Sequence, residues 1–150
     1  MDKQHSPARR RIMAVLAQAS SSRLVELYDF AGLPSEALDI RAPETGLVTV
    51  RGRMGGGGGA FNVGEITVTR ASLRSADGVV GHSYCLGTDR KKARIAALVD
   101  AHWQNPDRRD LVEQVIIAPL EAEQQQLDEK RIGETAATRV DFFTMVRGED

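Results

Sequence analysis

Arg51 and Arg53 stand two residues apart in a segment that alternates apolar and polar, so both guanidinium groups project to one face of a strand. Arg41 precedes them on a neighbouring candidate strand, and Arg70 and Arg74 follow. Guanidinium groups grip phosphate through paired N–H donors, so a concentrated set could hold a triphosphate. Between the arginines runs an unbroken stretch of five glycines, Gly55 to Gly59. Glycine inside a regular element costs roughly 0.5–1 kcal/mol relative to alanine. The run therefore marks either a hairpin tip or backbone that approaches a phosphate, a nucleotide or another subunit. Glu44 and Glu65 lie close by and could hold a divalent cation or orient a ligand hydroxyl. They could equally pair with arginine across a sheet, and the arginines could be a solvated face or a partner contact.

The glycine run fits neither standard nucleotide loop. A Walker-type loop needs Lys and Ser/Thr after its glycines, whereas Ala60, Phe61 and Asn62 follow here. A dinucleotide loop opens a helix, whereas these glycines precede a strand. An anion nest of consecutive N–H groups remains open to them. No metal site is expected: His5, His82 and His102 are scattered, without partners at ligand spacing. The single cysteine, Cys85, reads as a buried thiol that can form no internal disulfide. His82 and Cys85 are three apart on one strand and should face opposite sides, which disfavours a nucleophile pair.

The elements that must position these groups read as α+β, a single domain over residues 1–150. An antiparallel sheet of about four strands packs with N-terminal and C-terminal helices. Arg10–Ala19 and Ser22–Phe30 have helical apolar spacing, with Gly32 and Pro34 ending the second. Leu38–Ala42, Leu47–Met54, Glu65–Arg74 and Val79–Leu86 read as strands, with Asp77-Gly78 as a tight turn. The apolar phase slips between Val68 and Ala71, which predicts a bulge or a strongly twisted strand there. A helix capped by Thr88 or Asp89 should run to Trp103, a short one should cover Asp110–Val115, and Ile116–Pro119 should be a connector or short strand. Glu121–Thr138 has helical composition but a thin apolar stripe of Leu127, Ile132 and Ala136, as an exposed or partner-bound helix would. Phe142, Phe143, Met145 and Val146 form a dense run that could complete a core or insert into a neighbouring subunit.

Composition narrows the function. The chain carries 20 basic and 21 acidic residues, a net charge of −1, without the basic excess of a dedicated nucleic-acid binder. No window reaches the roughly 20 apolar residues that span a bilayer, and the first residues lack a signal-type apolar run, so a cytoplasmic protein is expected.

Two groups of residues carry a family resemblance. Arg41-Ala42-Pro43-Glu44-Thr45-Gly46-Leu47-Val48, Arg51-Gly52-Arg53-Met54-Gly55-Gly56, Phe61-Asn62-Val63-Gly64-Glu65 and Thr69-Arg70 form the first. The ending Arg139-Val140-Asp141-Phe142-Phe143-Thr144-Met145-Val146-Arg147-Gly148 is the second. Together they resemble the G subunit of the phosphonate carbon–phosphorus lyase system, the PhnG family, over nearly the whole chain. The resemblance implies a component of the α-D-ribose 1-methylphosphonate 5-triphosphate synthase, a transferase that displaces adenine from ATP with an alkylphosphonate. It implies H, I and J subunits as partners, with the K and L ATPase-like proteins, and no partnership with nucleic acid or membrane. It implies no cofactor in this chain; ATP serves the complex, and the J subunit carries an iron–sulfur cluster with S-adenosylmethionine. The chemistry falls chiefly to the I subunit, so no catalytic residue is expected here. Arg41, Glu44, Thr45, Arg51, Arg53, Gly55, Gly56, Glu65 and Arg70 become candidates for ligand proximity or subunit contact, with contact favoured. Phe142, Phe143, Met145 and Arg147 become candidate interface residues. A stand-alone nucleotide- or phosphate-binding protein and a pure scaffold are the alternatives.

Overall fold

Ser6 starts the first helix, α1 (Pro7–Gln18): its side chain accepts the Arg9 N–H, and Pro7 fills the first turn, where its missing N–H costs nothing. Ser20 caps α2 (Ser21–Ala31) in the same way, and Gly32 ends it at φ 62°, a left-handed conformation natural to glycine. Three antiparallel strands follow in the order β1 (Ala37–Arg53), β2 (Ala60–Ser75) and β3 (Val80–Leu86). Asp89 caps α3 (Arg90–Gln104) by accepting the Lys92 N–H, and Asn105 caps α4 (Pro106–Val112). A π-helical turn, Glu113–Ile117, joins α4 to α5 (Ala118–Ala137). The computed structural model describes residues 6–54 and 57–137.

The α+β architecture matches the sequence reading, with three strands among the described residues rather than about four. Leu38–Ala42 and Leu47–Met54 are parts of one strand, β1. Pro43 does not end it, because β1 lies at the sheet edge and Pro43 falls in a register shift between Arg41 and Glu44. That shift is also the irregularity anticipated near Ala71, but it sits in the facing strand. β2 itself runs regularly against β3 from Val68 to Arg74. Val68 is buried although it lies on the face opposite Ala71 and Leu73, which explains the apparent phase slip. Ile116–Pro119 is helical, not a connector. The π turn ends two residues before Pro119, whose ring and missing N–H do not fit a regular α-helical turn.

The core lies between the inner sheet face and the helices, with α3 at its centre. Ala93, Ala96, Ala97 and Ala101 keep that helix thin, so β3 approaches it closely at Gly81. A Cβ on Gly81 would stand 2.0 Å from the Ala97 carbonyl oxygen, so no larger residue fits without movement. Ile12, Leu16, Leu24, Leu73, Leu98, Ile116 and Ile117 complete the packing. Two parts extend beyond this core. Among the described residues the β1–β2 ribbon past Thr67 has no third strand beside it, and α5 past Gln124 is exposed, with Leu127 and Ile132 facing solvent as its thin stripe predicts.

Candidate functional site

The outer sheet face gathers the first of the candidate residues. Register pairs Glu44 with Arg70 across β1–β2 and Arg70 with Tyr84 across β2–β3. The Glu44 carboxylate accepts from Arg41 at 2.6 Å and from Arg70 at 2.6 Å, both on Oε1. These two guanidiniums hold the Glu44 carboxyl below its ordinary pKa, with Arg41 the stronger influence. Glu44 is therefore an ionised acceptor rather than a proton donor at neutral pH. The cluster carries one net positive charge, and an anionic ligand would have to displace Glu44 to reach both arginines.

A cleft of about 360 Å³ opens beside this cluster, lined by Glu44, Thr45, Gly46, Val68, Arg70 and Tyr84. Thr45 is committed to structure at its edge. Thr69 Oγ1 donates to the Gly87 carbonyl at 2.7 Å, so the 2.9 Å contact between the two hydroxyls has Thr45 as donor. Val68 and Tyr84 were not singled out in the sequence as lining residues. Only the pairing of β2 with β3 brings them here.

The other candidates lie elsewhere. Arg51 lies seven positions along β1 from Glu44, about 23 Å at roughly 3.3 Å per residue. Arg51 opposes Asn62 and Arg53 opposes Ala60 near the ribbon's tip. Neither arginine has an ion-pair partner among the described residues. Glu65 opposes Thr49 and makes no ion pair with either. The single arginine cluster anticipated from the sequence is thus two: a carboxylate-bridged pair at the base of the ribbon and, near its end, a pair without an ion-pair partner among the described residues. That separation is too long for one triphosphate to bridge.

Of the glycine run, Gly57 to Gly59 are described and belong to the connection between β1 and β2. Gly58 donates its N–H to the Met54 carbonyl at 3.2 Å, so this N–H is already used and does not serve an anion nest. Gly58 also needs to be glycine, because a Cβ would lie 2.8 Å from that carbonyl oxygen. Gly55 and Gly56 lie outside the described residues, as do Phe142, Phe143, Met145 and Arg147.

Two further titratable groups are structural. Cys85 is buried, its thiol pKa raised by desolvation, and it faces inward while His82 faces the other side of β3, as spacing predicted. His102 is buried between Pro34, Tyr28 and Arg108. Arg108 can only donate, so Nδ1 accepts and the proton sits on Nε2, directed at the Pro34 carbonyl 2.8 Å away. Burial lowers the His102 pKa and keeps the ring neutral. Among the described residues, no three His, Cys, Asp or Glu side chains converge as a metal site would require. No helix of the described residues is long and apolar enough to cross a membrane.

Comparison with known proteins supplies what this geometry lacks. The family model described as "Phosphonate metabolism protein PhnG" matches residues 7–148. A relative from Rhizobium meliloti (strain 1021) is 50% identical over 145 residues, covering 95% of this chain and 90% of the relative. It is named "Alpha-D-ribose 1-methylphosphonate 5-triphosphate synthase subunit PhnG".

Proposed function

Because the chain belongs to the phosphonate metabolism PhnG family, we propose that it is a non-autonomous subunit of the ribose 1-methylphosphonate 5-triphosphate synthase. The 50% identity to a named synthase subunit over nearly the full chain is the observation that carries this reading. In it, the assembled enzyme transfers the ribose triphosphate of ATP to an alkylphosphonate and releases adenine. The H, I and J subunits are its partners in the cytoplasm, with the K and L ATPase-like proteins acting alongside. This chain brings no cofactor. ATP is a substrate of the assembly, and the iron–sulfur cluster with S-adenosylmethionine belongs to the J subunit.

The geometry supports contact over catalysis as the role of these residues. Arg41 and Arg70 are occupied by Glu44, whose carboxylate stays ionised and offers no proton. Arg51 and Arg53 have no ion-pair partner among the described residues and project from a two-stranded ribbon to which those residues add no enclosing walls. Cationic side chains in that setting suit the acidic surface of a neighbouring subunit.

Co-expression with the I subunit tests the reading. Co-purification of the two chains is expected, with no micromolar binding of ATP or methylphosphonate by this chain alone in calorimetry. Failure of two folded chains to associate, or tight ligand binding by the isolated chain, would overturn it.

A further inference from the structure

The two edges of the sheet are treated differently. At the β3 edge, Asp100 accepts the outward His82 N–H at 2.8 Å, and Gln104 donates to the outward Val80 carbonyl at 2.9 Å. Helix α3 thereby closes that edge. At the other edge, β1 is broken near its start by the shifts on either side of Arg41 and by Pro43, devices that discourage pairing. From Glu44 to Val50 those devices stop. Register with β2 continues without a shift from Glu44 opposite Arg70 to Val50 opposite Gly64.

The direction of the backbone groups in that stretch follows from one hydrogen bond. Gly87 N–H donates to the Thr67 carbonyl at 2.9 Å, so Thr67 turns its polar backbone groups toward β3. Leu47, opposite Thr67, then forms a non-hydrogen-bonded pair, and its own N–H and C=O point away from β2. Alternation gives Thr45 and Thr49 the same direction. No group among the described residues meets these backbone donors and acceptors. Leu47 is 64% exposed and Ile66, opposite Val48, 41%, so the ladder is flanked by apolar side chains open to solvent.

Charge decides what can pair there. Asp39 is held by Arg94, and Glu44 by Arg41 and Arg70, so β1 has no free carboxylate, while Arg51 and Arg53 have no ion-pair partner among the described residues. Two copies of this strand paired antiparallel about Leu47 would bring the Arg51 and Arg53 end of each toward the Arg41 end of the other. Like charges so placed oppose self-pairing. We propose that the edge Thr45–Thr49 receives a β-strand from a different chain of the synthase, one that carries apolar residues and brings carboxylates to Arg51 and Arg53. The inference rests on the subunit reading above and assigns the place and manner of docking. Main-chain hydrogen bonds supply affinity in this mode, and side chains supply specificity.

Hydrogen exchange on the isolated chain and on the complex co-expressed with the H, I and J subunits tests it. The Leu47 and Thr49 amides should exchange at least about tenfold more slowly in the complex. Leu47→Pro removes an outward N–H and spares the β1–β2 ladder, so it should lower recovery of the complex about tenfold. The double variant Arg51→Glu with Arg53→Glu should lower recovery similarly through charge, which decides the matter even if the proline variant misfolds. Assembly that leaves these amides exchanging at the isolated-chain rate would overturn the proposal. So would protection of the same amides in a dimer of this chain alone. Failure of the wild-type chain to assemble at all would overturn the subunit reading and this one with it.

Discussion

Arg9 on α1 grips Asp100 on α3 through two parallel hydrogen bonds, Nε to Oδ1 at 2.9 Å and Nη2 to Oδ2 at 2.7 Å, with both side chains buried. Asp100 also accepts the His82 N–H from β3, so one carboxylate ties a helix, the central helix and the sheet edge together. The pair raises the Arg9 pKa chiefly through the hydrogen bonds to Asp100. Removing one partner strands a charge in the core. Arg9→Ala should lower unfolding free energy by about 3–5 kcal/mol. Urea denaturation checks this, with a lower midpoint expected at an unchanged slope.

Gly81 should be the least replaceable glycine among those described. The Ala97 carbonyl leaves no space for a Cβ, and the atom in the way is backbone, not a flexible side chain. Gly81→Ala should cost about 1–3 kcal/mol or more, the usual penalty of overpacking. Gly46→Ala is the control: its Cβ would meet nothing within 4 Å, and its φ is not positive. Thermal melts of both variants read the contrast.

Neutral His102 makes stability depend on pH in one direction. Its folded pKa lies below the ordinary value because the ring is buried. As pH falls below about 6.5, the unfolded chain takes up a proton that the folded chain resists. The stability held by the neutral ring is thus present above that pH and lost as pH falls through the folded pKa. Urea midpoints should drop from about pH 7.5 to about pH 5.5, and His102→Gln should lessen the drop. An equal drop in the variant would place the effect on other groups.

Glu44→Gln should leave the melting temperature unchanged, because its arginine partners are exposed and such pairs contribute little. It should instead free Arg41 and Arg70. Titration with inorganic phosphate should detect stronger binding by the variant than by the wild type.

Much of this fold was legible because local signals agreed. Ser20, Gly32 and Asp89 mark helix ends by direct chemistry, and Asp77-Gly78 marks a turn that closes with Gly78 at φ 84°. The separation of Leu38–Ala42 from Leu47–Met54 misled, because an edge strand tolerates a register shift and a proline in its middle, and only tertiary pairing decides which strand is at the edge. The apolar slip at Val68 misled for a related reason, since that side chain is buried on the face away from the helices. Arg9, Asp100 and Gly81 carried no local signal: the ion pair closes over 91 residues of chain, and the close contact needs α3 laid across β3. The site was legible in part. Arg41, Glu44 and Arg70 do meet, whereas Arg51, Arg53 and Glu65 are carried away by the length of the ribbon.

Adenine release from ATP and methylphosphonate tests the central claim most directly, measured for this chain alone, for the complete set of synthase subunits, and for the set without this chain. Release by the complete set only is the predicted result. Full turnover by the isolated chain, or undiminished turnover by the set that lacks it, would contradict the account.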